Sequence, residues 1–205
     1  MFHITNEKMQ PLSFAIEKIE DENVLRNVIT LLLDYGADVN AQDKDGSTPL
    51  MYASRTEFGE VVRELIKRGA DMENADRYHT KALTESINYG QLEAMKILLE
   101  NGADIYGGVY DTSAFFAANK NGNKDAVKIL LEFGFDPNKK LDEESLPLME
   151  ALYEGNDEII EILLGAGADV NLIDKLEGIS SLEFAEAEQM DIYDLLKKYD
   201  KKGTK

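Results

Sequence analysis

Apolar residues in this chain arrive in short bursts at helical spacing, and the bursts come in pairs. Leu50 and Ala53 sit three apart on one helical face, and Val61, Val62, Leu65 and Ile66 follow as the stripe of a second helix. The same two-beat pattern returns as Ala82-Leu83 with Ile97-Leu98-Leu99, and as Ala114-Phe115 with Ile129-Leu130-Leu131. It returns once more as Leu146-Pro147-Leu148 with Ile162-Leu163-Leu164. Between the two beats, Gly90, Gly122 and Gly155 fall seven residues after the anchors Leu83, Phe115 and Leu148, where a helix pair must reverse. One unit departs from this rule, with Glu57 at that place and Gly59 two residues later.

Each second beat closes on a glycine. Gly36, Gly69, Gly102, Gly134 and Gly167 are separated by 33, 33, 32 and 33 residues. A period in this range marks stacked repeats, each one supersecondary unit with an unfinished core. The local chemistry agrees. In Asp43-Lys44-Asp45-Gly46-Ser47-Thr48-Pro49, Gly46 suits a turn at positive φ, Thr48 is placed to cap the next helix, and Pro49 suits its first turn. Gly69 is placed to end the second helix as a C′ residue.

These motifs resemble the ankyrin repeat. Thr48-Pro49-Leu50-Met51-Tyr52-Ala53, then Leu65-Ile66, then Gly69-Ala70-Asp71-Met72-Glu73 follow its pattern. Gly36-Ala37-Asp38-Val39-Asn40 and Gly167-Ala168-Asp169-Val170-Asn171 follow its ending more closely still. The resemblance implies an all-α solenoid of about six helix-turn-helix units joined by β-hairpin loops, forming a single domain over residues 1–199. Its units run approximately 9–42, 43–75, 76–107, 108–140, 141–174 and 175–199, with 200–205 as a flexible tail. From Leu12 to Gly36 is 24 residues against 19 from Leu50 to Gly69, and the excess falls around Ile19–Asn23, lengthening the connection or one helix. The last unit starts near Gly178 and contracts its second helix around Tyr193, Leu195 and Leu196. Phe135 replaces the small alanine of the triplet, which predicts local splaying of the fourth unit. Phe115, Phe116, Phe135 and Tyr52 are expected in the core or between repeats.

Charge adds a second signal. The 205 residues carry a net charge of −18, which repels nucleic-acid phosphates and anionic membranes. Between Leu141 and Leu195 stand sixteen acidic residues against one basic residue, Lys175. This run is either a solvated face or an electrostatic lure for a basic partner. There is no cysteine, hence no disulfide and no thiolate metal site. The opening residues lack the basic-then-apolar pattern of a leader, and no apolar run reaches membrane-spanning length. A soluble, cytoplasmic protein, monomeric on its own, is expected.

Catalytic chemistry is hard to find in this chain. His3 and His79 are too few and too separated for a metal cluster or a triad, and His79 holds a hairpin place usually given to glycine. Asp43-Lys44-Asp45-Gly46 begins like a calcium loop, but the twelfth position holds Ser54 where glutamate is required. No phosphate-cradling loop and no zincin helix is present. The expectation is no enzyme, no cofactor and no metal.

The resemblance implies a concave face lined by hairpin tips and first helices. Alignment places Lys44, Asp45 and Ser47 there, with Arg77, Tyr78, Thr80, Tyr110, Asp142, Glu143 and Ser145 from later hairpins, and Arg55, Tyr89, Tyr153 and Glu154 from helix ends. The tyrosines form either one contact patch or simple packing along the hairpins. The reading that follows is a protein-binding module for a basic partner, in its sharper form an inhibitor that masks a toxin domain as bacterial immunity proteins do. The alternative is a scaffold or adaptor without an inhibitory role.

Overall fold

The hairpin before the second unit shows how each repeat is started. In the computed structural model, which describes residues 10–108, 113–141 and 145–200, the Asp43 carboxylate accepts hydrogen bonds from the amides of Asp45 (2.8 Å) and Ser47 (2.9 Å). That side chain folds the tip around itself. Gly46 takes φ 84°, and a Cβ there would stand 3.2 Å from the Cα of Asp76 in the next hairpin. Glycine is thus required twice, for the backbone angle and for the close approach. Thr48 accepts from the Met51 amide at 3.3 Å, with Pro49 in the first turn behind it. Asp76 repeats the device with Tyr78 (2.8 Å) and Thr80 (2.9 Å), and Asp174 with Leu176 (2.9 Å). His79, at φ 62°, stands in the second tip where the first has glycine.

Helices then follow in pairs: α1 (Pro11–Lys18) and α2 (Glu22–Asp34), α3 (Pro49–Ser54) and α4 (Gly59–Lys67), α5 (Ala82–Asn88) and α6 (Leu92–Glu100). They continue with α7 (Ala114–Lys120) and α8 (Lys124–Glu132), α9 (Pro147–Glu154) and α10 (Asp157–Gly165), α11 (Ser181–Ala187) and α12 (Tyr193–Lys198). Second helices end alike. Gly69 at φ 89° donates to the Ile66 carbonyl at 2.9 Å and Ala70 donates to Leu65 at 3.0 Å, closing the helix through a left-handed residue. The extra residues of the first unit lengthen α2 to 13 residues against nine in α4, with Asp21 capping it through the Val24 amide at 2.9 Å. Among the described residues there is no strand, only isolated antiparallel bridges Leu141–Ser145 and Ile173–Ser180 in hairpin loops. None of their helices is long and apolar enough to cross a membrane.

The chain divides into two compact units, Met1–Gly108 with Thr112–Ala114, and Val109–Asp111 with Phe115–Lys205. In the first, α1, α3 and α5 pack in one layer and α2, α4 and α6 in another. Leu25, Ile29, Leu50, Met51, Leu65 and Leu98 are fully buried between them, each such side chain contributing about 2 kcal/mol of transfer free energy. In the second, α9 packs against α10 and α11, α8 against α10, and α11 against α12, over a core that includes Leu130, Met149, Ile160, Leu163 and Leu196.

Neighbouring repeats are also tied by polar clamps. Asn40 donates to the Gly69 carbonyl (3.1 Å) and accepts from the Asp71 amide (2.8 Å). Asn138 does the same with Gly167 (3.0 Å) and Asp169 (2.8 Å). Glu73 holds only the amide half, with Asp104 (2.8 Å), and turns its other oxygen to Lys81 (2.7 Å).

At Phe135 itself the helix end closes as it does at Ala70. The Phe135 ring is buried and stacks on Phe115 at 5.0 Å and 5°, and its amide donates to Leu130 at 2.9 Å as Ala70 does to Leu65. A larger side chain at the triplet is matched by a larger anchor, Phe115 where other units have leucine.

Candidate partner-binding surface

In the first unit the predicted residues gather into a connected strip. The Asp45 carboxylate lies 2.8 Å from the Arg77 guanidinium, and the Arg77 amide donates to the Asp45 carbonyl at 2.9 Å. The Arg77 guanidinium covers the Tyr78 ring at 4.7 Å. From the same first hairpin, Asp43 accepts the Tyr52 hydroxyl at 2.7 Å. Arg55, at the end of α3, then lies 4.9 Å from the Tyr52 ring and 5.7 Å from the Tyr89 ring. It donates to both oxygens of Glu85, at 2.9 and 3.1 Å. The strip therefore runs from Tyr78 through Arg77 and Asp45 to Asp43, Tyr52, Arg55 and Tyr89. Both arginines are occupied by carboxylates of the same unit, while Tyr78 and Tyr89 remain 60% and 56% exposed and Lys44 is exposed beside them.

Environment tunes these groups. Burial, then the hydrogen bond to Asp43 and the charge of that carboxylate, push the Tyr52 phenol up to about 12. Burial works against the charge on Arg55, yet the hydrogen bonds and charge of Glu85 outweigh it and raise its pKa. Arg55 is thus a fixed cation that already has its partner.

The second unit is differently made. Tyr153 and Glu154 sit at the end of α9, with the Tyr153 ring edge-on to Phe184 of α11 at 5.0 Å and 63°. Burial, then a hydrogen bond to Glu177, raise the Tyr153 pKa, although 48% of the residue is exposed. Beneath it the buried Glu150 accepts the Ser145 hydroxyl, and the buried Asp174 accepts the Leu146 amide at 2.9 Å. Glu154, Asp157, Glu161 and Glu177 face solvent, and Lys124 pairs with Glu158 at 2.7 Å.

Several expected positions change character. Ser47, Thr80 and Ser145 are buried inside their hairpins and offer nothing to a partner. Tyr110, Asp142 and Glu143 lie outside the described residues. Tyr78 and Tyr89 belong to the first unit and Tyr153 to the second. Glu85 and Phe184 escape the sequence reading. Glu85 had a signal, a carboxylate thirty residues after Arg55 on the matching helix of the next repeat. Phe184 had none, since an aromatic on an inner helix reads as core.

Among the described residues no group of histidines and carboxylates is arranged to hold a metal ion. Asp43, the first residue of the calcium-like sequence, is committed to its own hairpin amides and to Tyr52.

Comparison with known proteins agrees with this architecture. The family description "Ankyrin repeats (3 copies)" matches residues 12–107 and again 108–174. The ankyrin repeat and KH domain-containing protein mask-1 of Caenorhabditis elegans is 28% identical over 195 residues, covering 94% of this chain. A putative ankyrin repeat protein, R664, of Acanthamoeba polyphaga mimivirus is 33% identical over 109 residues, covering 51% of this chain. The chain spans 7% of the nematode protein and 65% of the viral one. The crystal structure of an ankyrin repeat domain from Acinetobacter baumannii AYE superimposes with a TM-score of 0.76 at 28% identity, covering 92% of this chain and 97% of that one.

Proposed function

Because the chain belongs to the ankyrin-repeat family, we propose that it is a non-enzymatic module that binds a basic protein through its hairpin tips and first-helix ends. The observation that carries this reading is the unbalanced charge of residues 141–195, sixteen acidic against one basic, with Glu154, Asp157, Glu161 and Glu177 in solvent. A one-signed field accelerates encounter with the opposite sign and restrains like-charged competitors. In its sharper form the module is an inhibitor that covers the working face of a basic toxin domain. The adaptor reading has its own support: the first unit offers tyrosines over internally paired arginines, the second offers carboxylates, and two such surfaces suit two partners.

The test is kinetic. Protein retained at low salt and released at high salt is isolated, and its association rate is measured across ionic strength against the native chain and against a variant with Asp142→Asn, Glu143→Gln, Glu154→Gln and Glu161→Gln. Slower association with a flatter salt dependence supports the reading. Unchanged kinetics overturns it. A single tight basic partner favours the inhibitor, and several weaker partners favour the adaptor.

A further inference from the structure

The first unit contains a recognition pattern that the second leaves incomplete. Each exposed tyrosine on the strip has an arginine on its ring and a carboxylate on that arginine: Tyr78 with Arg77 and Asp45, Tyr89 with Arg55 and Glu85. Tyr153 has the aromatic neighbour, Phe184, and the carboxylate, Glu177. It has no arginine from its own unit, because the sequence contains none after Arg77.

Next to Glu177 in the chain stands an apolar tip. Leu176 is 61% exposed and Ile173 is exposed with it, on the hairpin that leads directly into α11. Leu176 occupies the tip place that Asp45 and Tyr78 hold in their hairpins, one residue in common register after another aspartate turn. The tip is held rigidly: Asp174 accepts the Leu176 amide at 2.9 Å, Gly178 donates to the Asp174 carbonyl at 2.9 Å, and Asp174 itself is buried. A tip whose backbone is held this way loses little backbone entropy on contact.

Building on the basic-partner reading, we propose that Tyr153, Phe184, Leu176 and Glu177 form a seat for an arginine carried on an apolar segment of the partner. The guanidinium stacks on the aromatic pair and shares its protons with Glu177, while an adjacent apolar side chain covers Leu176. Charge complementarity selects this occupant, since the exposed Glu154 borders the seat and the region supplies one cation, Lys175.

The probe is the synthetic peptide acetyl-Leu-Arg-Leu-Arg-Leu-amide, titrated into the labelled full chain and followed by amide chemical shifts. Its lysine and glutamate counterparts serve as controls. Shifts centred on Tyr153, Leu176, Glu177 and Phe184, weaker with lysine and absent with glutamate, support the seat. Leu176→Ser and Glu177→Gln, both surface changes, should then each weaken the arginine peptide about threefold or more with unchanged circular dichroism. Shifts spread over the acidic surface and indifferent to both substitutions overturn the seat but leave the basic-partner reading standing. No shift with any cationic peptide at low salt overturns both.

Discussion

Arg55 at the end of α3 holds Glu85 of α5 through two hydrogen bonds, 2.9 and 3.1 Å long, thirty residues along the chain. Glu85 is buried and Arg55 is partly so. Arg55 thereby joins successive repeats and at the same time backs the exposed Tyr89 ring.

Arg55→Ala should leave Glu85 buried without its counter-charge. We expect a loss of about 2 kcal/mol, below the range for a fully buried pair because the arginine is partly solvated. A urea midpoint unchanged by this substitution would show the pair to be energetically idle. Arg55→Met combined with Glu85→Leu should recover most of the loss.

Phe135→Ala restores the family triplet, yet we expect it to destabilise by about 3 kcal/mol through the cavity left against Phe115. Pairing it with Phe115→Leu should not make matters worse additively, since the two rings share one space. Thermal melts of the single and double variants decide this.

His79→Gly should stabilise the chain by about 0.5–1 kcal/mol, because φ 62° strains a residue with a Cβ and the side chain is exposed. Equilibrium denaturation measures it. A loss of stability would mean the imidazole makes a contact of its own worth more than the strain.

The Tyr52 phenol is raised from 10.0 to about 12, so the folded chain retains a proton that the unfolded chain loses first. Its contribution is therefore complete below pH 10 and is lost as pH rises from 10 towards 12. Tyr52→Phe should flatten the alkaline fall in stability across that window. Tyrosinate absorbance, followed in native and substituted chains, should show one late-titrating phenol fewer after the substitution, with Tyr153 still titrating late.

Asn138→Ala removes two inter-repeat hydrogen bonds at once, to Gly167 and from Asp169, and should cost about 1–2 kcal/mol. Glu73, which makes only one of the two, should cost less when changed to Ala. Urea midpoints of the two variants give the comparison.

The period of the glycines, the Asp-Gly tip, the Thr48 cap and Pro49 were enough to set the repeat and its helix pairs, because turns and caps are decided by neighbours a few residues away. The bursts of apolar residues likewise determined the core, since a helical stripe has one face to bury. The tertiary structure decided what depends on residues one repeat apart. It chose a longer α2 over a longer connection, matched Phe135 to Phe115, and buried Ser47, Thr80 and Ser145. It also turned Arg55 and Arg77 from free cations into paired ones and placed Phe184 against Tyr153. Local sequence fixes backbone angles, but the partner of a long side chain is set by which residue the stacking of the next repeat brings within 3 Å of it.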